Sequence, residues 1–171
     1  MALEAALVFM FLFFLLAGVI DISMFFKDTY SVSSAARAGA RMGSADPMST
    51  TFAASAAGQA VSAMSDLDYT RVVDIWVYEA NDVAGNLVSP PACPGVTCVK
   101  YTVNATGALS APAGTWLVRN ACAGTIVDSV GVQVRYTHKA PVMFANNKVV
   151  TERVSMRLEQ IPTTQACASV L

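Results

Sequence analysis

From Ala5 to Ile20 the chain carries no charged side chain, and after Asp21 the apolar texture resumes with Ile22, Met24, Phe25 and Phe26. As a helix, residues 5–26 span about 33 Å, enough to cross a bilayer. A cleaved signal peptide fits poorly, because Glu4 is the only charged side chain before Asp21 and a basic start is missing. The segment therefore reads as a retained membrane-crossing helix. It accounts for much of the 54% hydrophobic content, against 13% charged residues. Eleven basic and twelve acidic side chains give a net charge of −1, which excludes a chain built to coat nucleic acid.

The flanks conflict with each other. Lys27, Arg37 and Arg41 would lie in the cytoplasm by the positive-inside rule. Yet four cysteines beyond residue 90, in a small β-rich region, favour an oxidising compartment. A basic leader that precedes residue 1 and is removed after insertion would reconcile the two. Glu4 is costly inside lipid and calls for a partner. In a bundle of identical helices a neighbour's α-amino group can supply it; alternatively Glu4 rests in the headgroup layer at the helix N-terminus.

No proline occurs before Pro47, so the helix is expected to continue from about residue 2 to 43 and to end at Asp46-Pro47. Ala35, Gly39 and Gly43 form a small-residue seam at a four-residue repeat, which admits close approach of another helix. Arg37 and Arg41 lie one turn apart on a different stripe. A second helix is expected over residues 49–64, with Phe52, Ala56, Ala60 and Met64 on one face.

From residue 70 the hydrophobic period becomes two. The four segments are 71–80 (Val73, Ile75, Val77), 98–104 (Val99, Tyr101, Val103), 129–139 (Val130, Val132, Val134, Tyr136) and 148–161 (Val154, Met156, Leu158). Each alternates apolar with polar, the pattern of an antiparallel sheet covered on one side. The expected fold class is α+β: a long N-terminal hydrophobic helix as handle, a second helix, and a small antiparallel sheet with disulfide-tied loops. Two parts follow, residues 1–47 as the long helix and 48–171 as an extracytoplasmic globular domain.

Cys93, Cys98, Cys122 and Cys167 lie in or beside the Gly/Pro-rich stretches 82–97 and 105–125. Of three possible pairings, Cys93–Cys98 and Cys122–Cys167 is favoured. Their spacing matches no zinc ribbon.

Signs of catalysis are sparse. His138 is the single histidine, reads as an edge-strand polar residue, and would have to serve any Ser-His-Asp or Cys-His mechanism. Nucleotide-binding, nucleophile-elbow and zinc-protease motifs are absent. Asp66 and Asp68 read as turn caps, and Arg135, Lys139, Lys148, Arg153 and Arg157 as the solvated face of the last hairpin. Asn104-Ala-Thr106 matches the glycosylation sequon. No cofactor and no enzyme activity are expected.

Taken in order, the LEAALVF start, the Gly18–Asp21 exit, SSAARAGAR (33–41), the Val132/Val134/Tyr136 strand and VSMRLE (154–159) resemble the TadE-like family of Tad/Flp type IV filament systems. The resemblance implies cleavage by a prepilin peptidase, residence in the inner membrane with its assembly machinery, and assembly as a pilin or minor pilin. It places Glu4 at the pilin glutamate, which is fourth here and usually fifth. Glu4, Asp21, Ala35, Gly39 and Gly43 are the candidate assembly residues. The leading expectation is a homopolymer on the cell surface, reached from the inner membrane. A bitopic envelope protein that never polymerises is the alternative, and an enzyme using His138 a third reading.

Overall fold

The computed structural model describes residues 2–140, 147–163 and 165–169, with side chains from residue 6 onward apart from 168 and 169. One helix, α1 (Ala2–Ala45), runs unbroken for 44 residues, or about 66 Å. Asp46 and Pro47 stop it as expected, since proline lacks the donor that the next turn needs. Helix α2 (Phe52–Ala63) is shorter than expected at its start. Ser49–Thr51 form a turn instead, with the Ser49 hydroxyl 3.0 Å from that of Thr51.

A single 3-10 turn (Tyr69–Arg71), closed by the Asp68 carboxylate accepting from the Thr70 amide, leads into the sheet. Its strands are β1 (Val72–Glu79), β2 (Cys98–Tyr101), β4 (Ser129–His138) and β5 (Lys148–Arg157), in the order β2-β1-β4-β5, all antiparallel. A two-stranded ribbon joins β3 (Arg119–Asn120) to β6 (Ala168–Ser169). The fold is α+β. The upper part of α1 and all of α2 lie on one sheet face. The core between them holds Val32, Ala36, Ala40, Phe52 and Met64 from the helices and Ile75, Val77, Val130, Val132 and Val134 from the strands.

Two sequence expectations need correction. Val73 was placed with Ile75 and Val77, but a bulge between Val72 and Asp74 reverses the alternation. Val72, opposite Tyr136, takes the core position, and Val73 points out. His138 was read as an edge residue, but β4 is a central strand and His138 is buried at its end.

The far sheet face is also more than a solvated surface. Asp74 is fully buried there between the Arg135 guanidinium, whose Nε donates at 2.6 Å, and Lys100 at 3.3 Å. Arg135 in turn lies over the Trp76 ring, 5.0 Å from its centroid. Loss of water would raise the Asp74 pKa, but the hydrogen bonds and charge of Arg135 and Lys100 outweigh it and hold the carboxyl below its usual range. Gln133 is buried on the same face, so the sheet is covered on both sides around β4.

Disulfides join Cys93 to Cys98 and Cys122 to Cys167, the pairing favoured by the sequence. The second pins the C-terminal segment beside the β3–β6 ribbon. Arg119 locks the other side of this region to the helices. Its guanidinium donates to the carbonyls of Pro47 at 2.7 Å, Ser49 at 3.2 Å and Trp116, and it lies over the Phe52 ring.

Candidate assembly surface

The lower half of α1 is left uncovered by the rest of the chain. Fifteen large apolar side chains between Leu7 and Phe26 are each 45–72% exposed. Such a patch far exceeds what a free soluble domain presents to water. By length and composition this helix can cross a membrane. Within the stretch, Ala17 and Asp21, one turn apart, are buried within the chain, and Phe25 is half-buried against the core. Asp21, a candidate assembly residue, is thus covered inside the subunit. The Glu4 side chain lies outside the described residues.

Above Phe26 the helix passes through a ring of charge. Asp28 accepts from His138 Nδ1 at 2.7 Å, and the imidazole stands edge-on to Phe25 at 5.3 Å. His138 Nε2 is buried with no hydrogen-bond partner among the described residues. Lys27 pairs with Asp66 at 3.6 Å, and the Ser31 hydroxyl donates to the same carboxylate at 2.8–2.9 Å. Lys148 sits 5.5 Å from the Phe25 centroid. Asp66 and Asp68 part company here. Asp68 caps the 3-10 turn, as expected, whereas Asp66 clamps the second helix's exit onto α1. Among the described residues no nucleophilic hydroxyl or thiol contacts His138, and no three metal-ligating side chains cluster. The pair is a strap between helix and sheet.

One turn higher, the small-residue seam is filled from within the chain. Ala35, Gly39 and Gly43 are all buried. A Cβ on Gly39 would stand 2.9 Å from the Ala56 carbonyl oxygen and 3.2 Å from Val132; on Gly43 it would stand 3.2 Å from Val130. The helix that approaches this seam is α2 of the same subunit. The absent side chains let α1, α2 and β4 meet at backbone distance.

The opposite face of upper α1 is open. Arg37 and Arg41 lie there, and neither makes an ion pair or side-chain hydrogen bond among the described residues. They line a groove of about 690 Å³ with Ser34, Ala38, Met42 and Met156. The sequence had placed the two arginines on one stripe without a role. Asp28 and His138, far apart in the chain, carry no spacing signal and were missed as a pair.

The family model described as TadE-like protein matches residues 1–41. The likeness read from the sequence is thus found over the apolar helix and its continuation into the core, and the rest of the chain lies outside the match. No curated protein and no solved structure matches the chain.

Proposed function

We propose that this protein is a structural subunit of a Tad/Flp-type surface filament, held first in the inner membrane and then polymerised through lower α1. The observation that supports it most is the apolar surface between Leu7 and Phe26, which the chain's own fold leaves uncovered. Lipid covers that surface before assembly and neighbouring helices cover it afterwards. The sheet and its two disulfides face outward, in the oxidising space where such bonds persist. A heterologous helix-to-helix contact repeated from copy to copy produces an open filament. The reading takes a prepilin peptidase and inner-membrane assembly machinery as partners and needs no nucleic acid, cofactor or catalytic step.

A second reading is a minor pilin or a bitopic envelope protein of the same system, favoured by the TadE-like match over residues 1–41. Shearing filaments from cells and measuring the intact, non-reduced mass of what is released separates the two. Abundant subunit in sheared material, lighter by four hydrogens than the fully reduced chain, is the expected result. Confinement to the membrane fraction would overturn the filament-body reading.

A further inference from the structure

Arg37 and Arg41 place two cations, unpartnered among the described residues, on an exposed helical face whose groove is otherwise lined by alanine, serine, methionine and the neutral Gln59. The same face carries Phe9, Leu12, Leu16 and Ile20 lower down, then Ser23, Lys27 and Tyr30, at steps of three or four residues. A continuous exposed stripe therefore runs the length of α1 and changes chemistry near Lys27. Small residues at Ser34, Ala38 and Ala45 leave room for the bulky side chains of another helix. The two arginines call for a carboxylate once water is excluded.

Lower α1 has one carboxylate besides the buried Asp21, and it is Glu4. We infer that the groove of one subunit receives the first turns of α1 from a second copy, with Glu4 of that copy held by Arg37 and Arg41. The inference rests on the filament reading above and gives it a register. Glu4 and the arginines are 33–37 residues apart, so the paired copies are offset by roughly 50–56 Å along the helix. In that register Leu7, Val8 and Phe11 of the incoming helix follow Glu4 on its facing stripe and lie against Met42, Ala45 and Met156. The groove extends from Ser34 to Ala45, about 17 Å, which accommodates about eleven residues of helix.

An anionic lipid headgroup is a poorer occupant. Arg37 stands about 16 Å and Arg41 about 22 Å beyond Phe26 along the helix. The headgroup layer is only roughly 5–8 Å deep on each side, and screening removes most attraction beyond roughly 8 Å.

Charge exchange tests the pairing. Glu4→Arg and the double change Arg37→Glu with Arg41→Glu should each lower the sheared subunit by more than about tenfold, and the three changes together should restore most of it. Disulfide mapping of each variant establishes that the sheet domain has folded. Independently, Leu7→Cys with Met42→Cys should give a cross-linked ladder in sheared wild-type-like filaments. Filaments from the wild type, but neither rescue nor ladder, would overturn the pairing while leaving the polymer reading intact. Loss of filaments in the arginine variants that no change at Glu4 repairs would point to lipid or another acid, and overturn it too. A wild-type subunit absent from sheared material would overturn the polymer reading and the pairing with it.

Discussion

The two halves of α1 share one unbroken backbone and have opposite relations to the rest of the chain. Above Ser31 the helix is thin, built on Ala35, Ala36, Gly39, Ala40 and Gly43, and it is sunk into its own subunit. Below Phe26 it is thick with Phe, Leu and Met, and almost none of that bulk touches the chain that carries it. The contrast inverts the usual rule that large apolar residues are inside. Small residues make the intramolecular core here because two helices and a sheet must meet at backbone distance. Large ones on the same helix are left uncovered by the chain's own fold. The hinge of chemistry lies between Phe25 and Ser31, where the Asp28–His138 and Lys27–Asp66 contacts strap helix to domain.

The sharpest way to break the contrast is to add bulk to the thin half. Gly39→Leu would push a side chain into the Ala56 carbonyl, which belongs to a helix backbone and cannot swing aside. The expected loss is about 3 kcal/mol or more, read as a lower unfolding midpoint of the detergent-solubilised chain. An unchanged midpoint would mean that α2 is not seated on the seam.

Next in size is the sheet face away from the helices. Asp74→Ala leaves Arg135 and Lys100 without their shared counter-charge. Both cations are about one-third exposed, so solvent offsets part of the cost, and about 2–3 kcal/mol is expected. The pH dependence has a definite sign. The Asp74 carboxyl is held below its usual range in the folded chain. Its stabilisation is therefore complete above the unfolded value of about 3.9, and fades as pH falls through the lower folded value. Asp74→Asn should flatten that part of the acid-unfolding curve. An acid limb identical to the wild type would show that other carboxyls govern it.

The strap itself should come third. Asp28→Ala removes the partner of His138 Nδ1 and leaves a buried imidazole with neither nitrogen satisfied by a described residue. About 1–2 kcal/mol is expected. Because the strap joins the halves, the loss should be concentrated there. Hydrogen exchange over residues 25–31 should speed up about tenfold, while the amides of β1 and β4 change little. Uniform acceleration would place Asp28 in the global core.

What the sequence disclosed follows the reach of its signals. The apolar run, the proline stop and the period-two strands are local patterns, and they delivered α1, α2 and four strands with ends off by a few residues. The bulge at Val73 was invisible, since Val72 and Val73 are identical in type and only pairing with Tyr136 decides which faces in. His138 was misjudged because strand order is not a local property. It became a buried partner of Asp28 only once β4 lay between β1 and β5. The seam of Ala35, Gly39 and Gly43 was legible as a place of close approach, but not the identity of the helix that uses it. The open arginine face needed the structure, because only the burial of the other face shows which stripe is left over.

The smallest effect on folding should come from the thick half. A Cβ at Gly18 meets nothing within 4 Å, so Gly18→Leu should leave the unfolding midpoint of the solubilised chain unchanged to within about 0.5 kcal/mol. The same change that is ruinous at Gly39 is silent at Gly18, as the contrast between the halves requires. A bilayer accepts the added leucine readily, so the amount of subunit in the membrane should also hold. A filament core is less tolerant, because the helix surfaces of neighbouring copies must interlock. On the proposed filament reading, sheared subunit should therefore fall while folding and insertion do not. A lowered midpoint would show that lower α1 is packed against its own subunit after all, and the division between the halves would have to be redrawn.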